Sequence, residues 1–298
     1  STEEVVPQDV SVSIIDAASG TVYGSLKLYG VVKGEVDIAP YIAKNALLTP
    51  IWNSRSLAVS RSTSAKRVVV SINGMTSMER LFFRSKFDVT VSCVLSSLVE
   101  DQIVEQGDVA RLTLYAKGHV AVKMTCSDGS TMQSTMHTSG YPVETMFSTS
   151  RMAVGDSVRL EVILDNQYMY TCSYRVVERG ASSRTLLWYN HIGGIERYSF
   201  AHSLKLGYGV GVQSVEGLNS LKLRSVNGWV RSRLCSRCES SAEIERIAEV
   251  LLSPVVFVDS MENAEVVELE SREVKFDDKG QLHSISLDIC EEWKGGVL

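Results

Sequence analysis

Apolar and polar residues alternate along much of the chain with a period of two, the spacing of strands that bury one face. Near the start, Val10, Val12 and Ile14 alternate with Ser11 and Ser13, and a second β-prone stretch, broken by Gly24 and Gly30, runs from Thr21 to Val32. Glu35-Val-Asp-Ile-Ala-Pro-Tyr-Ile42 reads as a short turn or helical element. Val68, Val70 and Ile72 form another strand that ends at Asn73-Gly74, a hairpin signal because both positions accept left-handed backbone. Residues 85–178 carry candidate strands at Phe87–Leu95, Ala110–Tyr115, His119–Cys126, Ser157–Leu164 and Tyr168–Val177. Asp128-Gly129, Gly155-Asp156 and Asp165-Asn166 supply turns, and this spacing predicts a β-sandwich. The Ser-, Thr- and Met-rich stretch from Ser130 to Ser150 is expected to be a loop or irregular edge.

In the last third, Leu186–Asn190 reads as a buried strand, His191 to Gly194 as a turn, and Ile195 to Leu206 as a further β-prone run. Asn227-Gly228 is expected to mark a hairpin. The well-signalled helix follows. Ser240 precedes Glu243 by three residues as in a capping box, Ile244, Ile247, Ala248 and Leu251 form one apolar stripe, and Ser253-Pro254 stops it. Val255–Val258 is a short buried strand. Glu265–Phe276 and His283–Ile289 are expected to pair around Asp277-Asp278-Lys279-Gly280, with His283, Ile285, Leu287 and Ile289 on one face. The predicted class is mainly β, a sandwich plus a second β-rich domain with one short helix. The expected divisions are 1–84, 85–180 and 184–298, with the helix near 241–252. No internal repeat or low-complexity segment is visible.

Composition narrows the function classes. A hydrophobic share of 44% over 298 residues allows a sizeable core. A net charge of −5 argues against a general nucleic-acid binder. No run of 18 apolar residues predicts a membrane span, the polar start Ser1-Thr-Glu-Glu4 shows no signal peptide, and no Asn lies in a glycosylation sequon. Cys93, Cys126, Cys172, Cys235, Cys238 and Cys290 do not form a dense disulfide framework, and buried free thiols in a reducing site of assembly are expected.

Motifs that could carry chemistry are incomplete. Cys235-Ser-Arg-Cys238 lacks the second ligand pair that zinc requires and the βαβ setting of a redox motif. His119, His137, His191, His202 and His283 are scattered; His283 reads as a core or interface residue and His191 as a turn residue. Gly207-Tyr-Gly209-Val-Gly211 lacks the dinucleotide spacing, and no phosphate loop or nucleophile elbow is present. Asp277-Asp278 reads as a hairpin tip. Lys222, Arg224, Arg231, Arg233 and Arg237 make a basic stretch. Asp259, Glu262, Glu265, Glu268, Glu270, Glu273, Asp277 and Asp278 make an acidic one. These read as two solvated faces or, if set on opposite sides of a subunit, as complementary patches for head-to-tail ring contacts. No cofactor, metal or catalytic residue is expected.

Three segments carry a resemblance: Glu35–Ile42, Leu187-Trp-Tyr-Asn-His-Ile-Gly-Gly-Ile-Glu-Arg-Tyr-Ser-Phe200, and the helix followed by Leu252-Ser-Pro-Val-Val-Phe-Val258 and the final hairpin from Val274 to His283. Their order resembles tail proteins of phages and prophages of the Bacteroides group, over the last ~115 residues and a patch near residue 37. The resemblance does not extend across 85–178, and Tyr189 departs from it where such runs often hold another apolar residue. It implies a non-enzymatic structural component of a tail tip, distal tail or baseplate. Such a protein would bind copies of itself in a ring and other tail proteins, insert in no membrane, and contact a host surface at most. Its place would be the virion tail, assembled in the bacterial cytoplasm. The residues singled out are Trp188, Asn190, Gly193, Gly194, Glu196, Tyr198 and Phe200. Trp188 is a large anchor, Gly193-Gly194 a tight turn, and Tyr198 and Phe200 are expected to pack back toward Trp188. Their expected role is to shape surfaces that hold other chains. The alternative is a sandwich adhesin that binds glycan or a cell surface through Tyr141, Phe147, Tyr168 or Tyr170. A tail-associated hydrolase would need paired acids, or a nucleophile with its base, in one cleft.

Overall fold

The structure, a computed structural model, describes residues 6–45, 57–63, 65–83, 89–97, 101–164, 167–216, 222–259, 264–271, 273, 275–279 and 282–292. In chain order the first part holds β1 (Gln8–Asp16), β2 (Val22–Val31), α1 (Ala39–Asn45), β3 (Leu57–Arg61), β4 (Ala65–Ile72), β5 (Met75–Thr76) and β6 (Arg80–Phe83). The middle holds β7 (Cys93–Val94), β8 (Asp101–Glu105), β9 (Val109–Cys126), β10 (Thr131–Ser148), β11 (Ser157–Leu164) and β12 (Gln167–Val177). The last part holds β13 (Arg184–Tyr189), β14 (Ile195–Phe200), β15 (His202–Glu216), β16 (Lys222–Cys235), α2 (Ser241–Ala248), a 3-10 turn (Glu249–Leu252), β17 (Val256–Asp259), β18 (Ala264–Leu269), β19 (Lys275–Lys279) and β20 (Leu282–Glu292). The chain is mainly β, and α2 is short.

Three sheets organise it. The first runs β2-β1-β4-β5, with β6 also on β4. Its hairpin at Asn73-Gly74 forms as the sequence predicts: both residues have positive φ, 50° and 84°, and Ile72 pairs with Met75. The second sheet runs β3-β10-β9-β11-β12-β8, with β7 on β9. Its edge strand β3 lies inside the segment expected to belong to the N-terminal part. The third runs β14-β13-β17-β18-β20-β16-β15, with β19 on β20.

The second sheet makes a sandwich by folding over itself. Strands β9 and β10 are each 18 residues long and bend at Gly118 and Gly140, whose φ of 115° and 84° suit glycine. The register slips between Ser139 and Tyr141 at that bend. Met132 and Ser148, near opposite ends of β10, consequently line one open cleft. Phe147 of β10 and Tyr174 of β12 are three strands apart in the sheet order, yet meet edge-to-face at 5.2 Å. Between the halves lies an apolar core that includes Leu112, Leu114, Val122, Met124, Leu160 and Val176.

This arrangement corrects the loop expected at Ser130 to Ser150. Thr131–Ser148 is a strand in continuous pairing with β9. Its outer half is exposed, so Ser and Thr serve there as solvent-facing strand residues, and the absence of apolar alternation hid the strand.

Two turn expectations fail for related reasons. Asn227-Gly228 lies within β16, paired with Gly211 and Val210 of β15. Gly209 and Gly211 leave room for the Trp229 ring on that face; a Cβ on Gly209 would stand 2.2 Å from Trp229 Nε1. The β15–β16 connection is at 217–221, outside the described residues. Asp277 and Asp278 lie within β19, and Lys279 pairs with Leu282. The β19–β20 connection is at 280–281, also outside the described residues. The expected strand Glu265–Phe276 is divided between β18 and β19.

The helix forms as expected. Ser240 Oγ accepts from the Glu243 N–H at 3.3 Å and caps it. The stripe shifts at its end, where the 3-10 turn repeats every three residues: Ile244, Ile247 and Val250 are the buried set, while Ala248 and Leu251 are only partly covered. These three pack with Trp188, Leu234, Val258 and Leu287 in the core of the third sheet.

Candidate functional site

The hairpin β13–β14 stands at the centre of the molecule, with both faces covered. One face carries Leu186, Trp188, Tyr198 and Phe200 into the core under α2. Tyr198 and Phe200 touch edge-to-face at 5.0 Å and share that core with Trp188, as the sequence predicts. The other face is divided along its length. At one end Leu187, Tyr189 and Ile195 join Phe257 of β17 and meet Ile14, Val68 and Ile42 of the first sheet and α1. At the other end Thr185, Arg197 and Ser199 meet charged groups of the sandwich.

That charged end is built around Asp108, in the turn between β8 and β9. Its Oδ2 accepts from Arg197 Nη2 at 2.5 Å, Thr185 Oγ1 at 3.0 Å and Ser199 Oγ at 3.0 Å; its Oδ1 accepts from Arg179 Nη1 at 3.1 Å. Beside it, the fully buried Glu105 carboxylate accepts from Ser183 Oγ and Arg237 Nη2. Arg237 also donates to the carbonyls of Ser199 at 3.1 Å and Glu178 at 3.3 Å. Asp259 of β17 lies opposite Thr185. Burial, only partly offset by Arg197 and reinforced by Asp108, pushes its carboxyl up to about 7.

The turn of the hairpin forms a second centre. Asn190 Nδ2 donates to the Leu95 carbonyl at 2.6 Å and to Glu196 Oε1 at 2.7 Å, while its Oδ1 accepts from the N–H groups of Ile192 and Gly194. Glu196 Oε1 also accepts from the Ser97 N–H at 2.5 Å, and Thr113 Oγ1 accepts from the Ile195 N–H at 3.1 Å. A Cβ on Gly194 would stand 2.2 Å from the Leu95 carbonyl oxygen, so glycine there lets two backbones touch. Gly193 turns the chain at φ 89°.

Behind this turn, Arg246 of α2 donates to Glu196 Oε2 at 2.9 Å, to both Glu243 oxygens, and to the Arg197 carbonyl, with its guanidinium 5.8 Å from the Trp188 ring. Burial disfavours the charge on Arg246, but Glu243 and Glu196 outweigh it and hold the group more firmly protonated. Burial raises the Glu196 carboxyl against the pull of Arg246.

The seven singled-out residues thus meet at one place, and all are buried. The surfaces they shape are internal: Asn190, Gly194 and Glu196 fasten the sandwich to the third sheet, while Trp188, Tyr198 and Phe200 fill that sheet's own core, which corrects the expectation that they face other chains. Asn190, Glu196 and Tyr198 place their side-chain polar atoms on groups of the same chain, while the buried Trp188 Nε1 has no hydrogen-bond partner among the described residues. Asp108, Glu105, Arg197 and Arg246 were not singled out from sequence. Arg197 stands between the buried Ile195 and Phe200 and Arg246 between Ile244 and Ile247 of the helix stripe, a charge among inward positions, whereas Glu105 and Asp108 flank a polar turn that carries no such signal. Arg237 and Asp259 were seen only as members of charged stretches.

The described parts of those stretches lie side by side and not on opposite sides of the subunit. Strands β18, β20 and β16 are neighbours in one sheet, and Arg231 pairs with Glu270 at 2.8 Å and Arg233 with Asp288 at 2.7 Å. The side chains of Lys222, Arg224, Asp277 and Asp278, and all of Glu262, lie outside the described residues.

At the rim, Glu249 accepts from Ser97 Oγ at 3.5 Å and contacts His191 Nδ1 at 3.0 Å. The carboxylate sits between hydroxyl and imidazole, the reverse of the order in which a histidine activates a serine. His283 Nε2 lies 3.1 Å from Ser241 Oγ. Cys235 Sγ lies 3.5 Å from Ser286 Oγ, and Cys238 is exposed. Of the aromatics proposed for an adhesin, Phe147 is fully buried, Tyr170 packs on the sandwich core, and the Tyr141 hydroxyl donates to the Ala65 carbonyl at 2.7 Å. The Tyr168 side chain is outside the described residues. No helix among the described residues is long and apolar enough to cross a membrane. Neither the protein-family models nor the curated proteins compared with this chain give a match.

Proposed function

We propose that this chain is a non-enzymatic structural component of a phage tail or tail-like particle, at the tail tip, distal tail or baseplate. It assembles with copies of itself and holds neighbouring tail proteins. The observation that carries the reading is how the Trp188–Phe200 motif is used. Its Asn190, Glu196, Arg197 and Ser199 side chains are spent on fixing the sandwich against the third sheet, and among the described residues none of these four meets a nucleophile paired with a base on a cleft. A part that transmits load between neighbours needs such a stiff internal joint, whereas an enzyme needs unsatisfied groups facing a substrate.

Electron microscopy of the purified chain at high concentration, together with its detection in particles, tests the proposal. Closed symmetric assemblies, or the chain in a tail, are expected. A strictly monomeric chain that is missing from particles overturns it.

A further inference from the structure

The outer half of the β9–β10 hairpin carries a feature unconnected with the joint. His119 and His137 are direct cross-strand partners in the antiparallel register. Both are exposed, while their chain neighbours Val120 and Thr138 turn inward and are buried. The two imidazoles therefore leave the sheet on the same, solvent-facing side. Directly opposite residues hold their Cβ atoms about 4.5–5.5 Å apart. Two imidazole nitrogens on one ion, each about 2 Å from it, lie roughly 3 Å apart, a span that rings on such Cβ positions reach by rotating toward one another.

The surroundings suit a cation. The next pair along the hairpin on one side is Ala121 with Thr135, both small. On the other side is Lys117 with Ser139, and the Lys117 ammonium is drawn away, donating to the Thr90 carbonyl at 2.6 Å. Lys123, farther along, lies 3.8 Å from Glu161. The backbone at the pair is fixed by the bend, with Gly118 directly before His119 and the Ser139/Tyr141 slip directly after Thr138.

We propose that His119 and His137 chelate one divalent transition-metal ion of the imidazole-preferring class, nickel, copper or zinc, with water in its remaining positions. Two imidazole nitrogen donors select these ions over calcium or magnesium, which demand oxygen. The site is open and two-handed, so it binds reversibly. It does not depend on the proposed role in a tail.

The test is calorimetric titration of the full chain with Ni²⁺ alone at neutral pH. One ion per chain is expected. His137→Ala should lower the affinity at least about ten-fold, and His119→Ala should do the same. The double variant should be no worse than either single one, because a chelate is lost once. Cys238→Ser separates this site from the Cys235–Cys238 pair and should leave Ni²⁺ binding unchanged. Circular dichroism of each variant should match the parent, since both histidines are on the surface. An affinity that is undiminished in His137→Ala, binding lost in Cys238→Ser, or no binding by the parent chain up to about 1 mM Ni²⁺ overturns the proposal.

Discussion

One face of the β13–β14 hairpin makes two contacts that could hardly differ more. Toward the first sheet it offers Leu187, Tyr189 and Ile195, which with Phe257 meet Ile14, Val68 and Ile42. Toward the sandwich it offers Thr185, Arg197 and Ser199, which meet Asp108. The apolar contact is non-directional: it gains by area and tolerates small sliding. The polar contact is directional, because each of four donors on Asp108 must arrive at its own angle. Buried ion pairs add little net stability over a well-packed apolar contact, but breaking one is costly. The first sheet is therefore held by adhesion, and the sandwich by alignment.

Removing the hub of the polar contact should have the largest effect. Asp108→Ala leaves Arg197 buried without its carboxylate, and a loss of about 3–5 kcal/mol in urea unfolding is expected. A loss under 1 kcal/mol would show that the charges are solvated and the alignment is set elsewhere. Phe257→Ala attacks the apolar contact and should cost about 3 kcal/mol. Hydrogen exchange should then rise in β1 and β4 while the sandwich strands keep their protection. Equal loosening of both would erase the distinction between the two contacts.

Asp259→Asn comes next. The Asp259 carboxyl titrates at about 7 in the folded chain, above its unfolded value near 3.9. Its contribution is therefore fully present below about pH 4 and is lost as pH rises through 7. The variant should match the parent near pH 4, gain on it steadily as pH rises to about 7, and exceed it by a nearly constant margin of about 2–3 kcal/mol from there to pH 8.5. Parallel stability curves from pH 5 to 8.5 would remove Asp259 from the polar contact. The smallest effect belongs to Ile195→Val, about 1 kcal/mol with no change in pH dependence, measured by thermal unfolding.

Local signals in the sequence were legible where neighbours in the chain decide the outcome. Asn73-Gly74 needs only its own backbone preference, and α2 only its cap and stripe. They failed where the paired strand, and not the segment's own pattern, decides. Thr131–Ser148 is a strand because β9 pairs with all of it, and Asn227-Gly228 stays extended because β15 lies alongside. The motif around Trp188 was visible as an aromatic and glycine cluster, and its inward packing followed. What it fastens was not legible, since Leu95, Ser97 and Thr113 are more than 75 residues away in the chain. Arg197 and Arg246, set between apolar positions that face inward, were a clue, and they name only one half of each pair.

The separation of those partners has a consequence for how the chain acquires its shape. Glu105 waits for Arg237, 132 positions later, and Ser97 for Glu249, 152 later. During synthesis the sandwich emerges with Glu105 lacking its counterion, and it can close on Arg237 only when the C-terminal third has left the ribosome. Contacts of such long range make folding slow, and the docking of the two halves is expected to be its last and rate-limiting event.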